Sequence, residues 1–192
     1  METKPDGGAN AVNRVTRVTR ITAAFALTAI VAMAPACRIK KNTSATVIED
    51  DGQLVSIVNV ADPRAAVQLI RGFHGLENDS WRWTMKNFTV ALRPPAGAAQ
   101  SGAHLELKLT IPAVILDRVG PITVTGRVGG AELAPETYSQ AGDGAYARDI
   151  PASALAGDAV SFDFSVDKAI PPSNKDAREL AIIVRTIGLT PK

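Results

Sequence analysis

Leu105-Glu106-Leu107-Lys108-Leu109-Thr110-Ile111 puts an apolar side chain at every odd position and a polar one at every even position. A period of two is that of a β-strand with one face in a core and the other in water. Val160, Phe162, Phe164 and Val166 repeat it against Ser161, Asp163, Ser165 and Asp167. Ile122, Val124 and Val128 do the same against Thr123, Thr125 and Arg127. One wet face per strand argues for antiparallel pairing, because parallel strands are covered on both sides. Pro94-Pro95, Pro121, Pro151 and Pro171-Pro172 fall between the runs, at strand ends where a missing N–H costs least. Roughly seven to nine short strands in about 140 residues predict an all-β domain, a jelly-roll-like two-sheet antiparallel β-sandwich over residues 51–192. No helix beyond about three turns and no fixed-period repeat is evident.

Other segments are less regular. Leu180-Ala181-Ile182-Ile183-Val184 is apolar on both parities and rich in β-branched residues, which predicts a central strand covered on both faces. Ala141-Gly142-Asp143-Gly144 between Tyr138 and Tyr146 predicts a hairpin turn. Asp62-Pro63-Arg64-Ala65-Ala66-Val67 reads either as a short helix or as a turn into a strand through Val67, Leu69 and Arg71, and the strand is preferred. Around the tryptophans the parity conflicts: Trp81, Trp83 and Met85 are odd, whereas Phe88, Val90 and Leu92 are even. One register cannot bury both sets. A bulge near Lys86-Asn87 reconciles them; without it, one or both tryptophans lie at an edge or on an outer face.

The amino-terminal end has a different character. Arg14, Arg17 and Arg20 precede sixteen uncharged residues, Ile21 to Ala36, and then the only cysteine, Cys37. That order is an export signal spanning residues 1–37. Its apolar run reaches about 24 Å as a helix, short of a hydrocarbon layer of roughly 30 Å, so a cleaved signal is expected and not a permanent span. Ala34-Pro35-Ala36-Cys37 resembles the bacterial lipoprotein signal, in which cleavage falls before a cysteine that carries a diacylglycerol; Ala36 fits, and Ala34 and Pro35 depart from it. The other reading is ordinary cleavage at Ala34/Ala36, with Cys37 an incidental thiol. Without a second cysteine there is no internal disulfide, and the domain must be held by its core. Residues 38–50 are polar and read as a linker. The expected address is the bacterial cell envelope, as a membrane-anchored lipoprotein in the periplasm or on the cell surface; the alternative is a secreted protein.

Removing the first 37 of 192 residues leaves 155, the size of one domain with room for a proper core. Four of the 21 Lys/Arg and two of the 19 Asp/Glu lie in those 37, which leaves 17 of each and no net charge. Nothing there points to nucleic acid as a partner.

The most distinctive stretch is Arg71-Gly72-Phe73-His74-Gly75-Leu76-Glu77 followed by Trp81-Arg82-Trp83-Thr84. On a strand Trp81 and Trp83 share a face and Arg82 points the other way. Sugars bind flat aromatic faces that cover their C–H groups, with charged or amide side chains holding the hydroxyls. His74, Glu77, Trp81, Arg82 and Trp83 supply both parts and are the candidate ligand-binding residues. The competing readings are that either tryptophan plugs the core, that His74 sits in a turn, and that Arg82 pairs with Glu77. Asp176-Ala177-Arg178-Glu179 reads either as an ion pair fixing a loop or as the polar rim of a ligand site.

Catalysis is not expected. His74 and His104 are the only histidines, and no Gly-x-Ser-x-Gly elbow is present. Asp163 and Asp167 share a strand face but stand roughly 13 Å apart, beyond the about 5–9.5 Å of a glycosidase pair. Clustered zinc ligands are lacking, and Glu49-Asp50-Asp51-Gly52 is not an EF-hand loop. No metal or cofactor is expected.

Gly72-Phe73-His74-x-x-Glu77 with Arg82-Trp83-Thr84 resembles a β-sandwich domain of bacterial surface-polysaccharide proteins and membrane glycosyltransferases. That domain has a Gly-aromatic-x-x-x-Glu…Arg-Trp-Thr pattern, with His74 here where tyrosine is commoner. The resemblance runs from about Ala66 to Leu189 and includes a segment like Pro172–Leu180 before the last strand. It implies a jelly-roll fold of the galactose-binding type in an accessory role. Together these readings predict a non-catalytic, lipid-anchored envelope protein that binds carbohydrate or a cell-surface polymer. The alternative is a structural or assembly lipoprotein that binds another envelope protein.

Overall fold

The alternation becomes strand wherever it was clear. The computed structural model describes residues 53–192; the signal segment, Cys37, the linker and the first two residues of the expected domain lie outside them. In chain order the strands are β1 (Ile57–Asn59), β2 (Leu69–Glu77), β3 (Trp81–Leu92), β4 (Ala103–Ile111), β5 (Ile122–Val128), β6 (Ala131–Glu132), β7 (Glu136–Tyr138), β8 (Gly142–Ile150), β9 (Val160–Val166) and β10 (Ile183–Pro191). Two short helices, α1 (Ala98–Ser101) and α2 (Ala113–Val119), join strands. All ten strands form one antiparallel sheet along the path β6-β5-β9-β3-β10-β4-β8, with β1 on β10, β2 on β3 and β7 on β5.

The sheet curls. Leu105, Leu107 and Leu109 of β4, Phe162, Phe164 and Val166 of β9, and Ile122 and Val124 of β5 are all buried in one core, although β4 and β5 lie far apart along the path. Side chains close the gap between its ends. The Tyr146 hydroxyl on β8 accepts from the Gly126 N–H on β5 at 3.1 Å and donates to the Ala134 carbonyl at 2.8 Å. Tyr138 on β7 donates to the Ala145 carbonyl on β8 at 2.9 Å. The buried Tyr146 phenol needs partners, and here they come from the opposite rim.

β3 positions the candidate site. One of its edges pairs with β2; along the other, Arg82 and Trp83 pair with β10, and Asn87 to Leu92 pair with β9. Between the two halves lies a bulge, one of the two arrangements the parity conflict allowed. From the Arg71–Thr89 pair to the Phe73–Thr84 pair, β2 advances two residues and β3 advances five. The extra chain leaves Met85, Lys86 and Asn87 exposed and turns Phe88, Val90 and Leu92 into the core. Phe88 stacks on Phe164 with centroids 5.0 Å apart and meets the edge of Phe73 at 5.3 Å.

Three expectations need correction. Pro63–Val67 is a 3₁₀ turn and the strand starts only at Leu69; the Asp62 carboxylate accepts from the Arg64 N–H at 2.9 Å and Pro63 presets the backbone, so local capping overrides the strand pattern. Gly142 to Gly144 are not a hairpin turn but the start of β8, opposite Ile111, Thr110 and Leu109. β7 pairs with β5 instead of β8, and the Tyr138 ring lies over the bare backbone of Gly144. The strand count is ten, because β6 and β7 are too short to show a period. β10 is an interior strand, but of the run Leu180–Val184 only Ile183 and Val184 belong to it. Ala181, Ile182 and Val184 are buried, and Leu180 and Ile183 are half-buried.

Candidate functional site

The β2–β3 hairpin sets the geometry. Its turn holds Asn78 at φ 46° and Asp79 at φ 51°, and the Ser80 N–H donates to the Glu77 carbonyl at 3.1 Å. Asn and Asp tolerate this left-handed region better than other side chains do. The turn places Glu77 opposite Trp81 and Leu76 opposite Arg82. Opposed residues share a face, so Glu77, Trp81 and Trp83 stand on one face of the hairpin and Arg82 on the other.

Both tryptophans are half-buried. Trp83, opposite Ile183, packs against the core. The Trp81 indole nitrogen is buried, and no acceptor meets it among the described residues. Arg82 does not pair with Glu77. Its Nε donates to the Val60 carbonyl and its Nη1 to the His74 carbonyl, each at 3.0 Å, so it straps the hairpin to the segment after β1. His74 is in β2 and not in a turn. Its Nε2 lies 2.7 Å from the Glu179 carbonyl; a carbonyl only accepts, so Nε2 carries the proton.

The partner of Glu77 comes from the far end of the chain. Arg178 donates from Nη1 to Glu77 Oε1 at 2.6 Å, and from Nε and Nη2 to the two oxygens of Asp176 at 3.0 and 2.8 Å. Asp176 also accepts from the Arg178 backbone N–H at 2.9 Å. Glu179 accepts from the Lys86 N–H at 2.6 Å, which fastens the same segment to the bulge. The Glu77, Arg178 and Asp176 side chains are each 36–37% exposed, so a solute can reach them. The segment 176–179 therefore fixes its loop and also forms a charged rim beside the tryptophans. Nothing in the local sequence joins Arg178 to Glu77; the contact spans 101 residues and forms only in the folded chain.

The Arg178 side chain and N–H hold the Asp176 carboxyl down at about 2, with a smaller contribution from His74. The same bonds, with Glu77, raise the Arg178 guanidinium. A carboxyl with a lowered folded pKa stabilises above its unfolded value and loses that effect as pH falls through the folded one. The Asp176–Arg178 link is thus complete above the ordinary 3.8 and is lost as pH falls toward 2. A carbon-detected NMR titration should find the Asp176 midpoint near 2, and Arg178→Gln should return it toward 3.8. A native midpoint already at 3.8 contradicts the pairing.

Comparison with protein-family models and with curated proteins finds no match to this chain.

Proposed function

We propose that the chain is a non-catalytic, exported protein of the bacterial cell envelope, lipid-anchored through Cys37, that binds carbohydrate or a cell-surface polymer. The observation that carries this reading is the shared hairpin face: two half-buried indoles beside the accessible Glu77–Arg178–Asp176 chain. Flat apolar rings cover sugar C–H groups, and the charged groups accept and donate to hydroxyls. The five residues then divide their work. Trp81, Trp83 and Glu77 meet the ligand, His74 braces the rim through Glu179, and Arg82 holds the hairpin from behind.

We further read the curled sheet as a jelly-roll-like sandwich, with β10, β4 and β8 in one layer and β3, β9 and β5 in the other. The resemblance to the accessory domain of surface-polysaccharide and glycosyltransferase proteins supports this, as do the inward stripes of both groups of strands.

Binding to neutral glycans on an array should be lost in Trp81→Ala with little change in melting temperature. A large fall in melting temperature for both Trp81→Ala and Trp83→Ala would make the rings structural and remove the site. The address is tested separately: mass spectrometry of the mature amino terminus should find a diacylglycerol on residue 37. An unmodified Cys37 or a terminus elsewhere overturns the anchor and leaves a secreted protein.

One observation favours the second reading, an assembly lipoprotein that meets another envelope protein. Val55, Ile57 and Val67 are 46%, 54% and 59% exposed and line a groove of about 710 Å³ between β1 and the Pro63–Val67 turn. Contiguous apolar exposure of this kind marks contact surfaces. Ile57→Asp abolishing co-purification of an envelope protein, while glycans are ignored, would select it.

A further inference from the structure

The outer face of β3, β9 and β5 carries polar groups that the hairpin site does not use. The registers set Asn87 opposite Ser165 and Ser165 opposite Thr125, one row across three strands. The next row runs Arg71, Thr89, Asp163 and Arg127, again each opposite the next. Neighbours in a row are about 4.8 Å apart, and rows two residues apart are about 6.6 Å apart. A cleft of about 380 Å³ lies over them.

The two rows differ in how far they are satisfied. In the charged row, Thr89 donates to Asp163 at 2.5 Å and accepts from Arg71 Nε at 2.8 Å, and Arg71 Nη2 reaches Asp163 at 3.0 Å. Arg127 gives Nε and Nη2 to Glu132 at 3.3 and 2.8 Å. Nη1 of both arginines has no acceptor among the described residues. In the other row the amide of Asn87 and the hydroxyls of Ser165 and Thr125 have no protein partner among the described residues either. Arg71 is paired with Asp163 and Arg127 with Glu132, so the charges balance, and what the cleft offers an anion is the unused Nη1 donor of each guanidinium. Its one aromatic, Phe164, is buried, so ring stacking is not offered.

We propose that this cleft is a second ligand site, for an acidic saccharide whose hydroxyls meet Asn87, Ser165 and Thr125 and whose carboxylate meets the free Nη1 groups of Arg71 and Arg127. A compact anion would use only the guanidiniums and leave the amide and hydroxyl row idle. A ligand with hydroxyls spaced around a ring and one carboxylate satisfies both rows. The proposal shares its ligand class with the hairpin reading but not its site, and it stands if that reading fails.

The test is titration calorimetry of the full-length protein with three probes at fixed ionic strength: a galacturonic acid trisaccharide, the neutral galactose trisaccharide, and inorganic phosphate. The acidic sugar should bind about tenfold tighter than the neutral one, and phosphate should not displace it. Arg127→Gln and Asn87→Ala should each weaken binding by about five- to tenfold with unchanged melting curves. Trp81→Ala should leave it unaltered. Equal binding of acidic and neutral sugars, displacement by phosphate, no effect of either cleft variant, or loss in Trp81→Ala would each overturn the proposal. Binding that survives only in the cleft variants' parent and in Trp81→Ala separates this site from the hairpin.

Discussion

Gly72→Ala is expected to lower the stability of the domain by about 3 kcal/mol or more, read by urea unfolding. Two penalties combine. Gly72 holds φ at 78°, a left-handed conformation that a side chain resists. A Cβ there would also stand 2.1 Å from the Asn87 carbonyl oxygen and 2.6 Å from the Phe88 Cα. Those atoms belong to backbone, so no rotamer change can relieve the overlap. The clash falls on the bulge, and the bulge is what allows β3 to expose Lys86 and bury Phe88. Loss of less than about 1 kcal/mol would show that β2 does not approach β3 this closely.

Phe88→Ala should cost about 3–5 kcal/mol, the range for emptying an aromatic site in a packed core. Phe88 is fully buried between the stacked ring of Phe164 and the edge of Phe73. Removing it takes away both ring contacts and opens a void where β2, β3 and β9 meet. Thermal unfolding should fall by about 10 °C or more. Val90→Ala, on the same strand and face, should cost less because fewer atoms leave. A Phe88→Ala loss no larger than that of exposed Met85→Ala would place Phe88 outside the core.

How far these features can be read from residues depends on the range of the forces that make them. β4, β9 and β5 alternate because each has one wet face, and that pattern is local. The bulge was legible for a related reason: two apolar sets of opposite parity on one strand call for a bulge or for one set left out of the core. Here the bulge forms, while Trp81 and Trp83 stay half-buried and Met85 exposed. Gly142 and Gly144 misled because glycine marks turns by frequency, whereas here Gly142 takes a φ of 128° at the start of a strand and the missing side chain of Gly144 makes room for Tyr138. Asp62 and Pro63 prevailed over a strand pattern by capping a 3₁₀ turn, a contest between two local signals of similar strength. The curl of the sheet was not legible, since nothing near Tyr146 in the chain announces a bond to Gly126. The candidate site divides in the same way. Glu77 and the tryptophans could be chosen from a hairpin's worth of sequence, but Arg178 reaches Glu77 only after the chain has folded.

The chain has two tryptophans, and both stand on the hairpin face, so their indole N–H signals are the natural probes of that face. Titrating the full-length protein with a glycan that it retains should shift both signals saturably, with the same midpoint as binding measured by calorimetry. Retention of a neutral glycan by the Arg127→Gln variant with neither signal moving would contradict a carbohydrate surface built on Trp81 and Trp83.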